Sequence, residues 1–311
     1  MTTFSVIGAG AVGGYYGARL ADAGHEVTFV FQNDADYNRE HGFKIASPLG
    51  DIDLKNPLCV KQATDLAPAD VVIVALKATV NPVIAPMIVQ ALKPNGTVLL
   101  IQNGINCEQL YAEHLSEDQS VVGAIALIAA ERTERNKVEH YSLGSLNIGR
   151  YLDGYKTAPA DDALKQLAST FVDAGVPVNV EDSLLTARWQ KLLWNSSFNP
   201  ISVLADRNSK EMTEEPHCAE LVKRVMDEVL AAARADGCTA LTEADNEMMF
   251  QSSVHMEPYD PSMKVDFDHG RIMEADAILG EPIKRAQANG TPTPNLQVIY
   301  DLISSLNAKV G

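Results

Sequence analysis

The sequence predicts an α/β protein in two parts, an amino-terminal half on a largely parallel sheet and an all-helical carboxy-terminal half. Three observations carry this. Short continuous Val/Ile/Leu runs alternate with helix-like stretches through the first hundred or so residues, as strands covered on both faces do. Longer strand-like runs with polar alternation follow, up to Arg150. From Ser183 onward the strand signals fade and helix-like patterns take over. The boundary is expected near residue 180, giving domains 1–180 and 181–311.

The elements follow in order. "TFSVIG" (Thr3–Gly8) reads as a strand, "AVGGYYGARLADAG" (Ala11–Gly24) as a helix stopped by Gly24, and "EVTFVF" (Glu26–Phe31) as a second strand. "DVVIVAL" (Asp70–Leu76) and "GTVLLIQ" (Gly96–Gln102) are two more, separated by a helical stretch over Val80–Leu92. "VVGAIALIAA" and "KVEHYSLGSLNIG" suit an antiparallel extension of the sheet. Beyond Ser183, breaks are expected at Pro200, Pro216, Gly237, Pro258, Pro261, Gly270, Gly290, Pro292 and Pro294. Two domains of unlike class direct the expected active site to a cleft between them.

The chain's 311 residues are 46% hydrophobic, enough for a sizeable core. With 25 basic and 41 acidic residues the net charge is −16, which disfavours nucleic acid or an anionic membrane as a bulk partner. It leaves room for a small anion in a locally positive pocket. Cys59, Cys107, Cys218 and Cys238 form no C-x-x-C or metal-type cluster, so reduced thiols and no metal are expected. "MTTFSVIGAG" lacks the basic and long apolar regions of a signal peptide, and no apolar run is long enough to span a bilayer. A cytoplasmic protein is expected.

Gly8, Gly10 and Gly13 stand in G-x-G-x-x-G spacing between a strand and a helix. In a Rossmann-like dinucleotide-binding domain the first glycine makes the tight turn. The second admits the pyrophosphate to the backbone, and the third lets helix and strand pack closely. The cofactor contacts are expected along Gly8, Ala9, Gly10, Ala11, Val12 and Gly13, where the helix start offers unpaired N–H groups. A purely structural turn or a methyltransferase nucleotide loop has the same spacing. At the end of the second strand an acid suits the ribose of NAD and an arginine the 2′-phosphate of NADP. Gln32 occupies that place, with Asp34 and Asp36 close by and Arg39 the nearest cation in sequence. Gln32 brings no charge, so cofactor choice stays open.

Lys77 and Asn103 each fall just past a strand, at the carboxyl end where open parallel sheets bind ligands. Loops are polar in any case, and Asn-Gly is a common turn. In "WQKLLWNSSFNP", Lys191, Asn195 and Asn199 recur every fourth residue, about 40° apart on a helix. Apolar residues surround them, so the stripe is expected to be buried and turned to a polar ligand; a stripe facing water is the bland alternative. Downstream, Ser262 precedes Glu274, with Gly270 breaking the chain before a long helix expected from about Arg271.

Together these segments resemble the ketopantoate reductase (2-dehydropantoate 2-reductase) family along essentially the whole chain. The resemblance runs through "GAGAVGGYYGARLADAGHEV", the "LKA" at Lys77, the "QNG" at Asn103, "RWQKLLWNSSFNP" and "PSMKVDFDHGRIMEADAILG". It implies NADP(H)-dependent reduction of 2-dehydropantoate to pantoate, in pantothenate biosynthesis. Lys191 would be the catalytic lysine and Glu274 a catalytic, cofactor- or substrate-contacting glutamate. Asn103, Asn195, Asn199 and Ser262 would bind substrate. Lys77, Gln32 and Asn103 would join the glycine loop at the cofactor. Three places depart from the family pattern: Gln32 stands in place of the expected arginine, Met273 where threonine is common, and "ADRNSKEM" differs from the usual loop. NAD(H) therefore stays open, as does another 2-keto acid as substrate. A non-catalytic dinucleotide sensor is a rival, but it would not need Lys191 or the amides. The partner expected is a small 2-keto acid, with no nucleic acid and no membrane; a homodimer stays open.

Overall fold

The computed structural model describes residues 1–310. The chain forms two compact units: Met1–Gln102 with Cys107–Leu184, and Asn103–Asn106 with the chain from Leu185 onward.

The first unit carries one ten-stranded sheet. It runs β1 (Thr3–Ile7), α1 (Ala11–Asp22), β2 (Glu26–Val30), α2 (Ala35–His41), β3 (Phe43–Ala46), β4 (Ile52–Leu54), β5 (Leu58–Val60), β6 (Ala69–Val74), α3 (Asn81–Ile88), β7 (Leu92–Leu100), α4 (Cys107–Ala112), β8 (Ser120–Glu134), β9 (Lys137–Arg150), α5 (Asp162–Asp173) and β10 (Val178–Val180). The strand order is β4-β3-β9-β8-β7-β6-β1-β2-β5, with β10 paired to β9. From β5 to β8 all neighbours are parallel. The β8–β9 hairpin is antiparallel, as its alternation suggested. The Val/Ile/Leu runs are buried because helices cover them: Val6, Val72, Ile73, Val74, Val98 and Leu99 have no exposed surface. Strands β3, β4 and β5 are additions to the sequence reading. They are only three or four residues long, too short for a period-2 signal.

The second unit is helical: α6 (Leu184–Ala205, its first residue counted with the sheet unit), α7 (Ser209–Glu214), α8 (Pro216–Ala235), α9 (Glu243–Val254), α10 (Ser262–Asp268), a π-helical turn (Asp276–Gly280), α11 (Glu281–Ala288) and α12 (Pro294–Asn307). Its core gathers on α8, which packs against α7, α9, α11 and α12 through Val222, Val225, Met226 and Val229. Pro216 and Pro294 open helices at the first position, where their missing N–H is harmless.

Two expectations are corrected here. Pro200 does not end its helix, and α6 continues to Ala205. Phe198, Ile201, Ser202 and Val203 are all buried around it, so packing outweighs the lost backbone bond. Nor does a helix begin at Arg271. Residues 271–274 are irregular, and the chain enters the π turn only past Ala275.

Candidate active site

In the sheet unit, Gly8 has φ +94°, and a Cβ there would lie 2.7 Å from the Ala75 carbonyl carbon. A Cβ on Gly13 would overlap the Gly8 carbonyl oxygen and approach the Ala75 Cβ at 2.9 Å. Both glycines are demanded by the protein's own packing. Gly10 is different: a Cβ there would meet nothing within 4 Å, so internal packing does not explain the glycine. It caps α1 without a side-chain hydrogen bond, and no acid stands in the first turn. A bare backbone at an uncapped, acid-free helix start suits a pyrophosphate. Ala9 is buried behind the loop, and Ala11 and Val12 form the first turn of α1.

Gln32 is exposed with φ +44°. Asp34 is engaged by two arginines that the sequence reading did not connect with it, Arg132 at 2.9 Å and Arg135 at 2.7 Å. They come from the β8–β9 hairpin about a hundred residues away, and only the fold joins them to Asp34. Lys77 is half-buried just beyond β6 and opens a 3₁₀ turn.

The second unit assembles most of the remaining candidates. Asn103 Nδ2 donates to Glu274 Oε2 at 3.5 Å. Gly104 (φ +93°) is crowded against the Ala277 backbone, where no side chain would fit. The Ile105 N–H donates to the Ala277 carbonyl at 3.2 Å. Asn106 then donates to Glu281 at 2.6 Å and accepts from Arg285 at 2.9 Å. Four consecutive residues are thus held against Glu274, the π turn and α11.

Glu274 is buried, and so are Asn195 and Asn199, so the two amides of the stripe do not face water. The buried Asn199 Oδ1 has no hydrogen-bond partner among the described residues. A buried amide oxygen left unpaired is costly, and a ligand hydroxyl would satisfy it. Lys191 as a residue is only partly buried, yet burial of its ammonium is the first cause that lowers its pKa from 10.5 to about 8. Arg188, one turn earlier and fully buried, lowers it further, while the charge of Glu274 opposes the shift. Ser262 stands exposed at the start of α10 and is not hydrogen-bonded to Lys191, Asn103 or Glu274.

Three further residues give no sequence signal. Arg188 reads as one more helix-surface cation. Ser196 Oγ donates to the Ile278 carbonyl in the π turn at 2.7 Å. Asn307, at the end of α12, holds Met273 through its side-chain amide. Arg188 acts within its own helix, whereas Ser196 and Asn307 act across long sequence separations.

A bare glycine backbone and a lysine tuned toward neutrality suit chemistry in which a dinucleotide carries the reducing equivalent and the protein the proton. That chemistry defines a nicotinamide-dependent oxidoreductase acting on a keto acid. Residues 4–153 match the family described as "Ketopantoate reductase PanE/ApbA", and residues 183–307 match its C-terminal part. The chain belongs to the ketopantoate reductase family. A 2-dehydropantoate 2-reductase of Nostoc sp. is 31% identical over 306 residues, 98% of this chain and 95% of that protein. Among solved structures, 2-dehydropantoate 2-reductase from Geobacter metallireducens superposes with a TM-score of 0.91 at 28% identity, covering 99% of this chain and 100% of that one. The enzyme of that name from Methylococcus capsulatus gives 0.88 at 31%, covering 99% and 98%. No helix among the described residues is long and apolar enough to cross a membrane.

Proposed function

We propose that this protein reduces 2-dehydropantoate to pantoate with NADPH, and that Lys191 delivers the proton. The observation that supports this most is Lys191 itself: a lysine lowered to about 8 by burial and Arg188, yet opposed by the charge of Glu274, is protonated at neutral pH and poised to give the proton up. When bound, a reduced nicotinamide supplies hydride to the C2 carbonyl. Lys191 Nζ meets the negative charge that develops on the carbonyl oxygen and transfers its proton there. Asn195 and Asn199 hold the substrate's oxygen functions without adding charge, and the unpartnered Oδ1 of Asn199 accepts from its hydroxyl. Asn103 and Glu274 keep the lysine and substrate aligned through their shared hydrogen bond. Ser262, exposed and outside that group, is the residue best placed to close on the substrate carboxylate only after it binds. Gly10, with Ala9, Ala11, Val12 and Lys77, would hold the dinucleotide in the sheet unit.

Initial rates with NADPH and NADH over 2-dehydropantoate and a panel of other 2-keto acids test this reading. A rate with 2-dehydropantoate well above the panel supports it. Clear turnover of a different keto acid would keep the chemistry and replace the substrate. Cofactor binding without any turnover would favour a sensor.

A further inference from the structure

Gln32 presents a difficulty for an enzyme that uses NADPH, because it brings no charge to the place where a 2′-phosphate would lie. The surroundings change that. Asp34 shares its two carboxylate oxygens between Arg132 Nη2 at 2.9 Å and Arg135 Nε at 2.7 Å. Asp36 is shared likewise by Arg39 at 2.7 Å and Lys61 at 2.5 Å. Four cations therefore pair with two carboxylates just past the end of β2, in a chain of net charge −16. Of the hairpin's own acids, Glu139 pairs with Lys137 at 2.7 Å, Glu131 accepts from Tyr141 at 3.4 Å, and the charge of Glu134 acts on the same Lys137.

The two hairpin arginines are also fixed in place. Arg132 lies over the Phe31 ring, 5.4 Å from its centroid, and Arg135 over the Tyr37 ring at 4.4 Å. Asn38 donates to the carbonyls of Asp34 (2.8 Å) and Arg135 (3.2 Å), which pins the hairpin tip to the start of α2. The buried Nε of Arg132 has no hydrogen-bond partner among the described residues. Asp34 takes one nitrogen from each guanidinium, and the Arg135 side chain is 58% exposed.

We infer that Arg132 and Arg135 of the β8–β9 hairpin form the 2′-phosphate site of this enzyme and give it a preference for NADPH that Gln32 cannot. The inference rests on the nicotinamide reading above and names the residues behind its cofactor choice. Guanidinium groups meet a phosphate in a planar, two-pronged way, and an aromatic ring beneath each one sets its plane in advance. Gln32 then serves as an uncharged neighbour hydrogen-bonding ribose or phosphate.

The test is calorimetric titration of wild type, Arg135→Ala and the double variant Arg132→Gln/Arg135→Gln with 2′,5′-ADP, 5′-AMP and inorganic phosphate at low salt. Wild type should bind 2′,5′-ADP roughly tenfold or more tightly than 5′-AMP, the scale of a charge-assisted pair. The exposed Arg135→Ala change should lose part of that ratio, and the double variant should bring it close to one with 5′-AMP affinity unchanged. The KM ratio of NADH to NADPH should fall in parallel. A preference that survives the double variant overturns the inference and leaves the NADPH reading standing. Equal binding of the two nucleotides by wild type overturns both. Inorganic phosphate competing as well as 2′,5′-ADP would make this a general anion site and also overturn it.

Discussion

Asn307 brackets the backbone of Met273: its Oδ1 accepts from the Met273 N–H at 2.9 Å, and its Nδ2 donates to the Met273 carbonyl at 2.9 Å. An asparagine at the end of the last helix thereby fixes an irregular segment immediately before Glu274. Ser196 holds the other side of Glu274 through the Ile278 carbonyl. We expect Ser196→Ala, which loses one buried hydrogen bond, and Asn307→Ala, which loses two partly buried ones, each to cost roughly 1–2 kcal/mol of stability. If they position Glu274, kcat should also fall while cofactor affinity holds. Thermal unfolding and steady-state kinetics on the same preparations separate the two effects.

The glycine loop makes a paired prediction. Gly10→Ala places its methyl in open space and should fold normally, but raise KM for the dinucleotide. Gly13→Ala drives its methyl into the Gly8 carbonyl and the Ala75 side chain, and should lose about 1–3 kcal/mol by overpacking. Urea unfolding and nucleotide titration would show the opposite ranking if Gly10 were the structural one.

The causes of the Lys191 shift predict how the pH–rate profile moves. Reduction needs the protonated lysine, so kcat should decline as pH rises through about 8. Oxidation of the hydroxy acid needs the neutral form and should gain over the same range. Arg188→Met removes a neighbouring positive charge and should move both limbs up in pH. Glu274→Gln removes the opposing negative charge and should move them down.

The same shift affects stability. The folded pKa, about 8, lies below the ordinary 10.5, so between those values the unfolded chain binds more protons than the native one. The penalty for a charged Lys191 is fully present below about pH 8 and is relieved as pH rises toward 10.5. Lys191→Met should therefore be more stable than wild type at pH 7, with the advantage shrinking across that window. Denaturant midpoints at pH 7 and pH 10 check it.

Much of this was legible in the sequence because it depends on short-range pattern. The glycine spacing, the apolar strand runs and the four-residue recurrence of Lys191, Asn195 and Asn199 are local signals; the glycine loop lies between β1 and α1, and Asn195 and Asn199 are buried on α6. The short strands β3, β4 and β5 carry too few residues to show a period. Pro200 misled because a proline inside a helix is expected to break it, whereas the buried residues around it hold α6 together. The residues that hold the chain beside Glu274, and those that engage Asp34, were invisible for another reason. Asn307 and Ser196 reach Met273 and Ile278 beside Glu274, and Arg132 and Arg135 reach Asp34, only through tertiary packing, from 34 to 101 residues away at the extremes. No local motif records such pairings.

The central claim is that Lys191 carries the proton. The most direct measurement is turnover of 2-dehydropantoate with NADPH by Lys191→Ala, alongside nucleotide titration of the same variant. The account predicts unchanged nucleotide affinity and a kcat lower by about 10²–10⁴, the usual range for losing a general acid. Turnover at the wild-type rate, with the wild-type decline above pH 8, would contradict it.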